Sequence, residues 1–297
     1  MASIPSRYRL PWLLLAFAPW YAKHLVAAPY RHPGPVHLGQ RHRSALYDGV
    51  MNVMLNGYSA LSGRHLPPAA GTMAVLFTRI AFAFDDEYER RRPAGETVGF
   101  DEVFGAPAVQ ERVAAWRAYM GAHPAYPSIR EYLETFVRKL YSEYVATRPS
   151  GFADLVRAAE LDSGGLLVAV VTIVALAQQA DVSSEVTEAF VALGVLGKLV
   201  DDLTDLRGDR SGGRANLLDA LVQPAERTVV EQAVSSRERM STVWWRRHCP
   251  ATYARYEAVC SVQYGRLRSR WLRFAAGLLW VPALLGRSIV NDRRGRI

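Results

Sequence analysis

The sequence predicts an all-α protein, on three observations. Apolar residues recur at the helical period, as at positions 46, 50, 53, 54 and 58. The run Leu166 to Ala177 is apolar on every side, the pattern of a helix enclosed by others. Two acidic clusters, each with carboxylates four residues apart, close long apolar runs, so each falls on one helical face. With 297 residues, half of them apolar, the chain can bury a substantial core in one large helical domain or two small ones. The expectation is a single domain over 39–290, an N-terminal arm over 1–38 and a basic tail over 291–297.

In the arm, Leu10 to Trp20 is apolar and follows Arg7 and Arg9, which imitates a signal segment. Its two prolines, its shortness and the lack of a small-x-small cleavage site argue for an arm that packs on the domain, over the mouth of its site. It is too short to span a bilayer. A helix follows over Ser44 to Leu61 and is stopped by Gly63 and the Pro67-Pro68 pair. The next helix runs into Asp85-Asp86-Glu87-Tyr88-Glu89, and Ala74, Val75, Thr78 and Phe82 share roughly the face of Asp85 and Glu89. Arg90-Arg91-Arg92 and Pro93 close it, the arginines serving as a C-terminal cap or as anion contacts. Residues 94–106 read as a Gly- and Pro-rich loop, 107–120 as a helix, and Ser128 with Glu131 as a capping box opening a helix over 128–146.

Gly164 and Gly165 lie between two strongly helical runs, where each glycine costs about 1 kcal/mol against alanine, so a break or kink is expected there. After the apolar run, a turn at Asp181 to Ser184 leads into a helix over Glu185 to Arg207, ended by Gly208. Phe190, Gly194 and Gly197 lie on its inner face, the glycines leaving either space or close helix contact. Arg210 to Arg214 form a flexible basic loop able to act as a lid. Helices over 216–222, 225–248 and 252–285 complete the chain. The stretch Leu272 to Ile289, interrupted by Pro282 and Arg287, reads as buried or weakly membrane-touching.

The chemistry concentrates in the acidic clusters. Asp201, Asp205 and Asp209 fall within roughly 80° of one another on a helix. Like charges at this spacing repel, and carboxylates at a helix C-terminus oppose the macrodipole. Asp85 and Glu89 repeat the arrangement, with Asp86 beside them. Two such helices facing one another would cage several Mg²⁺ ions and a diphosphate, since hard oxygen ligands and bound water suit Mg²⁺. Lys198, one turn before Asp201, is an ion partner within the helix or a phosphate donor.

These residues resemble the class I isoprenoid synthases, and among them most closely the bacterial terpene synthases (cyclases). Asp85 to Glu89 is similar to that family's aspartate-rich DDxxD/E motif. Asp201 to Asp209 is similar to its second metal motif, (N/D)Dxx(S/T)xxx(E/D), with Asp205 where Ser or Thr is usual; the same run also resembles the second DDxxD of chain-elongating prenyl diphosphate synthases. The resemblance implies an antiparallel helical bundle around a central active-site cavity and three Mg²⁺ ions held by Asp85, Asp86, Glu89, Asp201, Asp205 and Asp209. It implies a diphosphate sensor at Arg157, 44 residues ahead of Asp201, with Glu160 as linker and the Ser163 to Gly165 break, Gly164 at its centre, as effector. Arg255-Tyr256 resembles the diphosphate-gripping RY pair but stands 46 residues past Asp209, nearer than is usual. Lys198 and Arg210 are further diphosphate contacts, and Phe82 and Phe190 the first-ranked aromatic walls of the cavity.

The implied activity is ionisation of a linear C20 or C15 prenyl diphosphate and cyclisation of the carbocation. Elongation with isopentenyl diphosphate is the alternative, although residues 30–70 lack the GGKxxRP-type run that elongation uses. A non-catalytic helical protein held to membranes by its cationic end is a third reading. The net charge of +8, much of it from the last 65 residues, suits an anionic partner, but dispersed basic residues and the lack of a zinc-finger or RNP-like motif exclude nucleic acid as an expectation. Cys249 and Cys260 make no disulfide framework, which favours a cytoplasmic setting. Weak membrane-surface contact and a homodimer stay open.

Overall fold

A computed structural model of the chain describes residues 15–19, 21–22, 38–91, 98–146 and 151–285. It is all-helical, with no strand among the described residues. Helix α1 (Leu38–Ser62) turns at Gly63, whose φ of +69° is glycine's territory, and leads to α2 (Ala70–Arg91). Between them, buried Asp48 and half-buried Arg79 form an ion pair at 3.6 Å. The expected loop after α2 contains a short helix, α3 (Phe100–Phe104), and Pro107 then opens α4 (Pro107–Met120) at the position where its missing N–H costs nothing.

Helix α5 (Tyr126–Ala146) begins two residues before Ser128, so the expected capping box is not what opens it. Tyr141 on α5 donates to the carbonyl of Val98 and packs against Phe84, Tyr88 and Phe100, which ties the end of α2 to α3 and α5. Helix α6 (Phe152–Ala159) passes into a π-turn at Glu160–Gly164 and then into α7 (Gly165–Ala177). The expected break is therefore a wide turn inside a helix that continues, with Gly164 and Gly165 both in ordinary right-handed helical geometry. The joined run Phe152–Ala177, with mean hydropathy 1.8, is long and apolar enough to cross a membrane, yet half of its most apolar stretch is buried here against neighbouring helices.

Helix α8 (Ser184–Ser211) is the axis of the fold, touching α1, α6, the π-turn and α7, and on its other sides the helices that follow it. Ser183 caps it, its Oγ accepting from the amide of Val186. It runs past Gly208, the expected end, to Ser211; Gly213, at φ +64°, makes the reversal. Phe190, Leu193 and Leu199 are completely enclosed along it. Gly194 settles the choice between space and contact at its own position. A Cβ there would lie 2.5 Å from the nitrogen of Gly164 and from the carbonyl of Ser163, so this glycine lets the π-turn and α8 touch backbone to backbone.

The remaining segments are shorter than expected. Helix α9 (Leu217–Leu221) is capped by Asn216, and the anticipated helix over 225–248 is a 3₁₀ turn at Pro224–Glu226, α10 (Arg227–Ser235) and α11 (Thr242–His248). Arg237, at φ +58°, divides the last two. Likewise 252–285 splits into α12 (Pro250–Gly265) and α13 (Arg270–Leu285). Glu226 accepts from the amides of Ala251 and Thr252 at 2.9 and 2.8 Å, capping α12 from outside. Burial pushes this carboxyl up, but those bonds and the Thr252 hydroxyl outweigh it and hold it below the usual range. Gly57 allows Leu272 of α13 to seat against α1, where a Cβ would meet Cδ2 at 2.3 Å. In the arm, Phe17 is buried against Gly49 on α1, and Ala16 lines a recess with Arg270, Trp271 and Phe274. Among the described residues, no acidic residue lines that recess.

Candidate functional site

The acidic end of α2 and the acidic stripe of α8 face each other. Arg214, just past α8, reaches both: Nη1 lies 2.9 Å from Glu89 Oε1 and Nε 3.0 Å from Asp209 Oδ1. A planar guanidinium is only a few ångströms across, so Glu89 and Asp209 are the two sides of one cation-sized gap. The fold thus closes the long sequence separation between the clusters.

The stripe is held rigidly from below. Asp205 and Asp209 are buried and Asp201 is half-buried. Asn216 donates to Asp209 Oδ2 at 2.7 Å and to the carbonyl of Asp202 at 2.8 Å, while its own Oδ1 accepts from the amide of Asp219. Asp202 points inward, accepting from the amide of Leu217 at 2.6 Å, with Lys198 Nζ 2.9 Å from its other oxygen. Lys198 also lies 3.9 Å from Asp201. It is both the ion partner within the helix and the cation nearest the stripe.

A third acidic wall comes from the π-turn. Asp162 stands within electrostatic reach of Asp85, Glu89 and Lys198. Sequence reasoning passed over this residue and over the bridging role of Arg214. The signals were present in the paired glycines beside each, but neither residue follows a spacing rule.

The electrostatics are those of a recess. Water reaches Asp85 and Asp162, and partly reaches Asp201 and Lys198, yet protein surrounds all four closely enough for lost hydration to dominate their proton affinities. Burial, then Asp162, then Glu89 push Asp85 up to about 7. Burial pushes Asp201 up to about 7 as well; Lys198 opposes this, and Asp205, Asp202 and Asp209 add to it. Lys198, although burial disfavours its charge, is held well above its ordinary value by Asp202 and Asp201. The cleft carries more negative charge than its cations neutralise.

Several nominated residues stand elsewhere or are already engaged. Arg90 and Arg91 both clamp Glu87, Arg90 Nε at 2.9 Å, and Arg91 also meets Glu102 at 3.0 Å; they finish α2 and do not reach into the cleft. Their hydrogen bonds hold Glu87 down at about 2. Arg92 lies outside the described residues. Arg157 is mostly exposed and pairs with Glu160 at 3.4 Å, an i,i+3 contact within the helix. Arg210 is held by Asp219 at the start of α9, Nε at 3.1 Å.

Tyr256 is fully enclosed, its hydroxyl donating to the carbonyl of Leu199 at 2.7 Å, whereas Arg255 is exposed and pairs with no carboxylate of either cluster among the described residues. Adjacent helical residues point about 100° apart, so the two do not form a common grip. Phe190 is likewise sealed in the core under α8 and is not a free cavity wall, while Phe82, three residues before Asp85, is 38% exposed. Ala74, Val75 and Thr78 are packed core rather than lining.

Among the described residues, no three His, Cys, Asp or Glu side chains already converge as a metal-binding group. Mg²⁺ does not require such a cage. It is commonly held through one or two carboxylates, with phosphate oxygens and water completing the octahedron. Hard carboxylates from facing helices, with burial first and mutual repulsion second lifting Asp85 and Asp201 to about 7, suit a hard divalent ion. Comparison with known proteins gives no match to a family model, to a curated protein or to a solved structure.

Proposed function

We propose that this chain is a Mg²⁺-dependent class I terpene synthase, built as an antiparallel bundle of the isoprenoid synthase type, that ionises a linear C20 or C15 prenyl diphosphate and cyclises the resulting carbocation. The observation that carries this reading is the single guanidinium of Arg214 between Glu89 and Asp209, which puts the two acidic motifs across a gap of ionic size. Asp85, Asp86 and Glu89 on one side and Asp201, Asp205 and Asp209 on the other would hold three ions. When bound, Mg²⁺ neutralises the charge that grows on the leaving diphosphate as its C–O bond breaks.

The chain's own residues supply the rest. Lys198 sits at the edge of the stripe, where its ammonium can meet a phosphate oxygen without leaving Asp202. Phe82, exposed beside Asp85, offers a π-face to a nearby carbocation without a nucleophilic atom to trap it. Arg157 and Glu160, paired beside the π-turn, are the sensor and linker in this reading.

Elongation with isopentenyl diphosphate is the second reading, favoured by Asp205 standing where cyclases carry a hydroxyl. The two separate in one assay of Mg²⁺-dependent diphosphate release from farnesyl and geranylgeranyl diphosphates, each with and without isopentenyl diphosphate. Release from the allylic substrate alone, with a hydrocarbon or alcohol in the organic phase, is expected. Release only with isopentenyl diphosphate would make the chain an elongating synthase. No release, with avid binding to anionic liposomes, would leave the membrane-binding reading in its place.

A further inference from the structure

The cation seated between the two acidic motifs is the protein's own. Arg214 lies immediately after Gly212 and Gly213, and Gly213 adopts a left-handed conformation that a side chain would strain. Its backbone amide is fastened to the carbonyl of Asp209 at 2.8 Å, so the loop's root is fixed to α8 while the side chain extends to α2. The guanidinium lies between Glu89, 2.9 Å away, and Asp209, 3.0 Å away. The Nε–H is buried and is not aimed at the nearby Asp209 oxygen, so that contact is held by charge and not by a well-formed hydrogen bond. Asp209 has a second, better-directed partner in Asn216 and keeps its position whether or not Arg214 stays.

We infer that Arg214 is a displaceable internal counter-ion, a positioning residue that fills the cation gap in the metal-free protein and gives it up only when a divalent metal arrives together with an anion able to receive the guanidinium. This inference rests on the reading of the cleft as a metal–diphosphate site. A bare divalent ion entering the gap would take both carboxylates from Arg214 and leave its guanidinium beside Lys198 without them. A metal–diphosphate pair brings acceptor oxygens for the arginine's five donors, so the exchange leaves none of them stranded. Metal and anion should therefore bind synergistically, and Arg214 should be the cause of the synergy.

The test measures Mn²⁺ binding, by electron paramagnetic resonance and calorimetry, to the full chain and to its R214Q and R214K variants, with and without inorganic diphosphate. Thermal unfolding in the absence of metal serves as a check that each variant is folded. The wild-type protein is expected to bind Mn²⁺ at least about tenfold more tightly with diphosphate than without, the factor of one charge-assisted contact. R214Q should bind Mn²⁺ alone about tenfold more tightly than wild type and lose most of the diphosphate effect, with R214K in between. Equal Mn²⁺ affinities for wild type and R214Q, with diphosphate synergy intact in both, would overturn the role of Arg214 and leave the proposed function standing. Tighter Mn²⁺ binding by R214Q with no diphosphate effect in either protein would support the internal counter-ion but remove the diphosphate site. No Mn²⁺ binding to any of the three, with or without diphosphate, would overturn both.

Discussion

Asn216 donates to Asp209 across 2.7 Å and, from the same amide nitrogen, to the carbonyl of Asp202. One side chain thus caps α9 and fixes the last carboxylate of the stripe. Asn216→Ala should lose the cap, worth about 1 kcal/mol, and leave a buried carboxylate oxygen short of a donor, worth about 1–3 kcal/mol. Urea denaturation of the metal-free protein should show a loss of about 2–4 kcal/mol, and a loss below about 1 kcal/mol would mean that water replaces the amide.

Asp85→Ala and Asp205→Ala should each lower Mg²⁺-dependent diphosphate release at least about a hundredfold. Far-ultraviolet circular dichroism should stay unchanged, because neither carboxylate closes a helix. Full activity in either variant would remove that residue from the metal set.

The pH dependence of stability follows from the raised carboxyls. Asp85 and Asp201 ionise near 3.8 in the unfolded chain and near 7 in the folded one. The stability they contribute is complete below about 3.8 and is lost as pH rises through about 7, because the unfolded state releases those protons first. Glu87, held at about 2, acts in the opposite sense, but its contribution fades only in acid. Without divalent ions the melting temperature should fall between pH 5 and pH 8, and the double variant D85N/D201N should flatten the slope. A melting temperature that rises over this range would contradict the crowded-carboxylate account.

Tyr256→Phe removes the donor to Leu199 inside the core and should cost about 1–3 kcal/mol on denaturation. The KM for the prenyl diphosphate should not move, since the hydroxyl faces α8's backbone and not the cleft. A KM raised tenfold with unchanged stability would restore Tyr256 to the substrate.

Helical character was legible from apolar spacing alone, and so were the two acidic faces, because carboxylates four apart on a helix share a side wherever the helix goes. What periodicity does not encode is where a helix ends or stops short. The chain passes Gly208 without stopping, since it is Gly213 and not Gly208 that takes a left-handed φ, and Arg237 interrupts what read as one helix. Tyr256 and Phe190 illustrate a second limit. Their distances from a motif are sequence properties, but whether they line a hollow or fill a core depends on which neighbours crowd them, and here Trp280 and the carbonyl of Leu199 crowd Tyr256. Arg214 and Asp162 reach the site only because the loop after α8 and the π-turn carry them there; paired glycines mark both places, but no spacing rule picks out either residue.

The π-turn at Glu160–Gly164 amounts to one extra residue wound into an otherwise regular rod. Each added residue turns everything on one side of it by about 100° relative to the other. The half that begins at Phe152 is therefore dialled to a different bearing from the half that ends at Ala177, with Asp162 inside the turn that joins them. Excising one residue from this turn would leave composition, charge and helix length almost untouched while swinging a whole row of side chains off its mark.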